Sequence, residues 1–280
     1  MYMNSEVVKS RRIRSSVGAG MFYPDNKDDI LDRFNSFGLK KTGGGRAKAI
    51  IVPHGAWEYS GALAARAFSA ASGRSENVTK VVILGPIHDK REAGLFLSNS
   101  HSFHTPVGDV EVDRKISEAL ESSSDFLEIN DIPHLGEHSI EVILPFVKYC
   151  FSKASIAPIL MGQPEERYIH DLAKALKTVI TPVLDETLIV ISCNLSYNSD
   201  KTAARSLAEE CLKLFSEKNA RVLEPAILSG RLDACGGALA VSLFESGLLS
   251  GTKARFQADS VVNAVDAENK SVFYCDVAFE

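Results

Sequence analysis

Two histidines in this chain have the residue type and the setting for acid–base or metal chemistry. His54 lies in Ile51-Val52-Pro53-His54-Gly55, and His88 ends Leu84-Gly85-Pro86-Ile87-His88. Each follows a short apolar, β-branched run, and the stretch between them accommodates one helix and one strand. A right-handed crossover would set the two strands side by side and pointing the same way. Both histidines would then stand at the carboxyl edge of the sheet, where open α/β sheets build ligand sites. The neighbouring glycines and prolines give tight turns that hold a side chain outward. One strand-end histidine alone reads as a loop hydrogen-bonder. Two in register point to a shared pocket, and imidazole is the commonest metal ligand and general acid/base near neutral pH.

Cys235 is a third candidate. Asp233-Ala234-Cys235-Gly236-Gly237 precedes the apolar stretch Ala238–Leu243. A thiolate at a helix N-terminus is favoured by the dipole and can act as a nucleophile or as a soft metal ligand. The competing reading is a small buried hydrophobe. His138, in Glu137-His138-Ser139-Ile140-Glu141, can share a helical face with Glu141 one turn on, although a first-turn acid also complements the helix dipole. His101 and His104 read as solvated surface; His134 and His170 have no distinctive setting.

These residues need a scaffold, and the chain has the pattern for one. Short β-branched runs alternate with amphipathic stretches, the signature of an α/β protein with a largely parallel central sheet and flanking helices. Strands are expected at Ala47–Val52, Val81–Leu84, Ile156–Leu160, Leu188–Ile191 and Val272–Ala278. Ala93–Leu97 with Val110–Val112 reads as a smaller antiparallel excursion, closed by Thr105-Pro106-Val107-Gly108-Asp109. Helices are expected at Asp28–Ser36, Ser60–Ser72, Asp113–Glu121, Ser139–Cys150, Glu165–Val179, Lys201–Lys218, Glu224–Ser229 and Gly236–Glu245. In the second, Leu63, Ala64, Ala67, Phe68 and Ala71 make one apolar face. In the fourth, Ser139 is placed to cap a helix whose stripe is Ile140, Ile143, Leu144 and Val147.

Composition bounds the rest. At 280 residues, with 45% hydrophobic and 24% charged, the chain can bury a substantial core. No linker or repeat divides it, so one domain over 1–280 is expected, with 1–16 a flexible extension. A net charge of −5 without a basic block argues against nucleic acid. Five scattered cysteines without a Cys-x-x-Cys pair read as reduced thiols of a cytosol. The polar, basic start lacks the apolar core of a signal peptide, and no apolar run is long enough to span a bilayer. A cytoplasmic protein is therefore expected.

Taken in order, the segments resemble the MEMO family, known in prokaryotes as protein B of the AmmeMemoRadiSam system. The resemblance is carried by Ala19-Gly20-Met21-Phe22-Tyr23-Pro24, Val52-Pro53-His54 with Tyr59-Ser60-Gly61, Leu84-Gly85-Pro86-Ile87-His88, Thr105-Pro106-Val107-Gly108-Asp109-Val110, Glu137-His138-Ser139-Ile140-Glu141-Val142 and Cys235-Gly236. It covers almost the whole chain. It implies a fold similar to class III (LigB-type) extradiol dioxygenases, which use non-haem Fe(II), with His54, His88 and Cys235 lining the pocket that corresponds to the iron site. Fe(II), Cu or Zn would suit those ligands. The resemblance further implies a small-molecule or peptide ligand, phosphopeptides included, and association with the other AmmeMemoRadiSam components.

One loop departs from the family pattern. Where relatives carry Ser-Ser-Asp and then His three positions after the Asp, this chain has Ser192-Cys193-Asn194 and Tyr197. The missing histidine corresponds to the proton-transferring residue of the dioxygenases, and a phenol of reference pKa about 10 is a poor base at neutral pH. The usual His-Ala-Gly-aromatic order reads His54-Gly55-Ala56-Trp57, which puts Trp57 at the pocket. Three functions follow: a relict pocket that binds a metal or ligand without dioxygenase activity, a metal-dependent oxidoreductase of altered mechanism, and a cysteine hydrolase or transferase with Cys235 as nucleophile and His54 or His88 as base.

Overall fold

In the computed structural model the described residues are 11–198, 200–256, 262–265 (as backbone) and 271–280. Eight strands form the central sheet: Ala49–Val52 (β1), Lys80–Pro86 (β2), Leu95–Leu97 (β3), Leu127–Ile129 (β4), Ser155–Met161 (β5), Thr187–Ser192 (β6), Ala254–Arg255 (β7) and Val277–Phe279 (β8). Their order is β7-β8-β1-β6-β2-β5-β3-β4. The middle four, β1-β6-β2-β5, are mutually parallel, while β8 runs antiparallel to β1 and β3 antiparallel to β5. The α/β class and the largely parallel sheet are as the sequence indicates.

The parallel strands are buried on both sides, which is why they read as unbroken apolar runs rather than alternating ones. Ala49, Ile51, Val82, Leu84, Ile189 and Ile191 face one core, and Ile50, Val52, Val81, Ile83, Leu188 and Val190 face the other. The helices are Lys27–Ser36 (α1), Trp57–Ala71 (α2), Arg114–Ser122 (α3), Ile132–Gly136 (α4), Leu144–Cys150 (α5), Glu166–Ile180 (α6), Lys201–Ser216 (α7), Ala220–Leu228 (α8) and Gly237–Glu245 (α9). Leu63, Ala64, Ala67, Phe68 and Ala71 of α2 are all buried, as their spacing requires. Among the described residues, no helix is long and apolar enough to cross a membrane.

The structure departs from the sequence reading in several places. The strands carrying His54 and His88 are not neighbours, because β6 lies between β1 and β2 and bonds to both. Six consecutive buried residues, Thr187–Ser192, suit that central slot. The single terminal strand expected over Val272–Ala278 is two strands. Ser271–Tyr274 pairs with Ser196–Asn198 and Val262–Val265 in a separate antiparallel sheet, and only Val277–Phe279 joins the central one. The chain changes sheets at Asp276, whose carboxylate accepts a bidentate bond from Arg66 of α2.

Nor do Ala93–Leu97 and Val110–Val112 pair with each other. Leu95–Leu97, buried throughout, adds to the central sheet, whereas Val110–Glu111 pairs with Ser102–Phe103 across the turn at Thr105–Gly108. The helix expected from Ser139 begins as a 3-10 turn at Glu141–Ile143, with α5 starting at Leu144. Pro145 lacks the N–H that would bond back into that turn. Ser139 caps nothing; its hydroxyl donates to the Pro86 carbonyl at 2.7 Å.

Residues 1–10 of the expected flexible extension lie outside the described residues, but 11–16 are held. Ile13–Arg14 pairs in parallel with Ser102–Phe103, and the Arg14 side chain is 2% exposed. Its guanidinium binds the fully buried Glu141 carboxylate and the His134 and Glu137 carbonyls. Glu141 also accepts from the backbone N–H of Val17 and Gly18, at 2.9 and 2.7 Å, and from the Tyr23 hydroxyl at 2.8 Å. This acid fastens the N-terminal segment to the body of the protein.

Removing one partner of a buried ion pair strands the other charge, at about 3–5 kcal/mol. Glu141→Ala should lower the unfolding free energy in guanidinium by about that much and open 11–24 to limited proteolysis. A second test concerns His134, 2% exposed, with Nε2 donating to the Phe96 carbonyl at 3.2 Å. Burial lowers its pKa from 6.5 to about 4, despite that bond. The unfolded chain therefore takes up a proton below pH 6.5 that the folded chain refuses, so stability falls with pH between about 6.5 and 4. From pH 7 to 5 this group should cost about 2 kcal/mol. His134→Gln, which keeps a donor for Phe96, should show a loss smaller by that amount in parallel denaturant titrations.

Candidate metal centre

The inserted strand gives the site its frame. His54 lies two residues beyond the end of β1 and His88 two beyond the end of β2, and the chain leaving β6 between them supplies Ser192, Cys193 and Asn194. The rings of His54 and His88 meet edge to face with centroids 5.1 Å apart. Cys235, just before α9, brings Sγ to 3.5 Å from His54 Nε2. One ligand atom from each of His54, His88 and Cys235 lies within 4.8 Å of the other two. His54 is buried, Cys235 half-buried, and His88 stands at the rim with its side chain 37% exposed.

Hydrogen bonds fix which ring nitrogens face the centre. The Ser192 hydroxyl donates its one proton to the Ser139 carbonyl at 2.6 Å, so towards His54 Nδ1, 2.7 Å away, it can only accept. His54 is thus protonated on Nδ1 and carries its lone pair on Nε2. His88 Nδ1 lies 3.0 Å from the Glu137 carboxylate, an obligate acceptor when ionised, and is protonated for the same reason. Glu137 also receives the backbone N–H of His88, His138 and Ser139, at 2.7, 2.8 and 2.7 Å. Burial opposes its charge, but the His88 bonds and the nearby imidazoles outweigh it, and the acid stays ionised far below the usual range.

The thiol faces the same balance. Burial disfavours charge on Cys235, yet a hydrogen bond from Cys193 and the proximity of His54 and His88 carry its pKa well below the ordinary value. The Asn194 N–H also donates to its sulfur at 3.1 Å. Burial alone would lower the pKa of His88; hydrogen bonds to Cys235 and Glu137 raise it instead. His138 stacks on His88 at 4.7 Å and on Phe22 at 4.3 Å. Burial and the two neighbouring imidazoles bring its pKa down to about 4, so it is neutral at pH 7.

The loop residues Asn194 and Tyr197 belong to this cluster. Asn194 Oδ1 accepts from the His54 N–H at 3.1 Å, which orients the amide so that Nδ2 donates to the Tyr197 hydroxyl at 2.9 Å. Burial, and then the negative Cys235, push the Tyr197 pKa up, so the phenol is no base at neutral pH. Beside Cys235 a cleft of about 610 Å³ opens, lined by His88, Met161, Gln163, Tyr197 and Leu239 among others.

Trp57, placed at the pocket from sequence, and Glu141, paired there with His138, both stand elsewhere. Trp57 is 3% exposed in an aromatic cluster with Phe34 and Phe146, its indole N–H bonded to the Val142 carbonyl. Glu141 faces the N-terminal segment, and the acid that meets the histidines is its neighbour Glu137. Sequence reasoning passed over Glu137, Ser139 and Ser192. The adjacency of Glu137 to His138 was the available signal, but a helical reading of this stretch favours the i,i+3 partner, and the chain is not helical there.

Comparison with known proteins agrees with this architecture. The profile of the Memo family, described as Memo-like protein, matches residues 14–277. A MEMO1 family protein of Aquifex aeolicus is 30% identical over 244 residues, covering 86% of this chain and 88% of that one. Its counterpart in Nitrosopumilus maritimus is 27% identical over 269 residues, 93% of this chain and 96% of the relative. That of Thermotoga neapolitana is 29% identical over 244 residues, 82% and 87% of the two chains. The chain belongs to the MEMO1 family.

Proposed function

We propose that this chain is a MEMO-type binding protein that holds one transition-metal ion on His54 Nε2, His88 Nε2 and Cys235 Sγ, without ring-cleaving dioxygenase activity. The observation that carries the reading is the commitment of both Nδ1 protons, one to Ser192 and one to Glu137, which leaves the two Nε2 atoms as the positions that face Cys235 Sγ, any proton on them being displaced when an ion binds. Imidazoles bonded from behind by a carboxylate or hydroxyl are the usual arrangement of histidine ligands. The spacing fits as well: metal–N bonds of about 2.0–2.1 Å and metal–S bonds of about 2.3 Å bring tetrahedral donors to roughly 3.3–3.8 Å of one another. The His54–Cys235 contact is 3.5 Å.

Two imidazoles and a thiolate suit Fe(II), Cu or Zn. When bound, such an ion supplies Lewis-acid or one-electron chemistry. The protein's own groups orient the ligands and hold the cleft beside them open for a small molecule or a peptide end. Against ring cleavage stands Tyr197, where the dioxygenases have their proton-transferring histidine. Its phenol stays protonated and is bonded to Asn194, so no side chain at that place can take a proton at neutral pH.

Untagged protein should take up about one equivalent of Zn(II), Cu or, anaerobically, Fe(II), and His54→Ala/His88→Ala should take up none, read by elemental analysis after gel filtration. Equal and negligible uptake by both proteins would sink the metal reading. Oxygen consumption with catechols by the Fe(II)-loaded protein should not exceed that of His88→Ala. The orienting bonds make a separate prediction. Glu137→Gln and Ser192→Ala should each weaken Zn(II) affinity by roughly 10–100-fold while leaving the fold intact by circular dichroism.

A further inference from the structure

We propose that Cys193 and Cys235 form a thiol–disulfide pair, in which Cys235 meets a hydroperoxide and Cys193 resolves the product. Of the five cysteines only Cys235 is not buried, and it opens onto the cleft; Cys150, Cys193, Cys211 and Cys275 are enclosed. Cys193 lies directly behind it. The segments carrying the two residues are bonded to one another reciprocally. The N–H of Asn194, which follows Cys193, donates to Cys235 Sγ at 3.1 Å, and the N–H of Gly236, which follows Cys235, donates to Cys193 Sγ at 3.3 Å. Between them the Cys235 N–H donates to the Asn194 carbonyl at 3.2 Å.

Each sulfur therefore rests against the peptide that follows the other cysteine. The approach depends on Gly236. A Cβ there would fall 2.7 Å from Cys193 Cβ and 2.5 Å from the Ser192 carbonyl oxygen, contacts no side chain could make. The two segments pass within backbone hydrogen-bonding distance of one another at these residues, the close approach that a disulfide calls for.

The chemistry balances with a hydroperoxide as the oxidant. The Cys235 sulfur attacks the terminal oxygen of ROOH; an S–O bond forms, the O–O bond breaks, and the alkoxide leaves as ROH with the thiol proton. Cys235 is then a sulfenic acid. The Cys193 sulfur attacks it, the S–S bond forms, the S–O bond breaks, and hydroxide leaves as water with the Cys193 proton. Two thiols supply the two electrons that reduce one hydroperoxide. Without a resolving thiol a sulfenic acid goes on to sulfinic acid, which thiol reductants do not reverse. In the disulfide Cys235 has no thiolate to offer a metal, so oxidation also empties the centre. That last consequence rests on the metal reading above; the disulfide does not.

The full chain, freed of metal by a chelator, is treated with hydrogen peroxide and mapped by mass spectrometry of non-reduced peptides. The expected result is one cross-linked peptide pair joining Cys193 to Cys235, two hydrogen masses lighter and restored by dithiothreitol. In Cys193→Ser, Cys235 should instead gain two oxygens that dithiothreitol does not remove, and Cys193→Ala serves if the serine destabilises the core. Sulfinic acid at Cys235 of the wild type, or a cross-link from Cys235 to another cysteine, overturns the assignment. Zinc uptake is read in parallel and should be lost on oxidation and regained on reduction. A reduced protein that binds no zinc would overturn the metal reading, while the peptide map still decides the disulfide.

Discussion

The Ser192 hydroxyl has a single proton, and its donation to the Ser139 carbonyl sets the polarity of everything around it. It makes Ser192 an acceptor towards His54, places the imidazole proton on Nδ1 and leaves the Nε2 lone pair facing Cys235. The same three-residue stretch, Glu137-His138-Ser139, governs the second histidine through the Glu137 carboxylate. One short piece of backbone thus orients both imidazoles, and it does so only because β6 is inserted between the strands that carry them. Were β1 and β2 adjacent, Ser192 would have no place at the Nδ1 side of His54.

That backbone must itself be rigid. Glu137 binds three backbone N–H groups, those of His88, His138 and Ser139, and the Ser139 hydroxyl is tied to the end of β2. From the other side Arg14 binds the Glu137 and His134 carbonyls while paired with Glu141. Buried polar groups of this kind cost several kcal/mol each when left unmet and little when all are met. The N-terminal segment accordingly packs as a structural element behind the site, which explains why its Arg14 is so deeply enclosed.

Apolar periodicity and Gly/Pro turns, which are local signals, disclosed most of the strands, most of the helices and the pairing of His54 with His88, whereas Cys235 was joined to them by the family resemblance. Strand order is not local. Nothing within Ala49–Val52 or Lys80–Pro86 announces that Thr187–Ser192 will come between them, so the acceptor for His54 could not be named in advance. Glu141 was misread for a related reason. Helical spacing assigns it to His138, but Pro145 delays the helix, and the buried acid turns instead to an arginine more than a hundred residues earlier. Trp57 stands beside the pocket in sequence, yet its bulk is taken up by an aromatic core with Phe34 and Phe146.

Asn194 and Tyr197, in the segment after β6, make sense together. A carboxylate at position 194 could accept from the His54 N–H and would favour a protonated imidazole nearby; an amide accepts with one end and donates with the other. Asn194 therefore calls for an acceptor at the position three residues on, and the Tyr197 oxygen supplies it. Asn194 and Tyr197 form a matched neutral pair that keeps the backbone of His54 anchored. Changing either residue alone would leave a buried polar group unpaired, at about 1–3 kcal/mol. The ordered geometry around His54 and a phenol at 197 that takes no proton at neutral pH are thus consequences of one neutral, mutually satisfied pair at the edge of the centre.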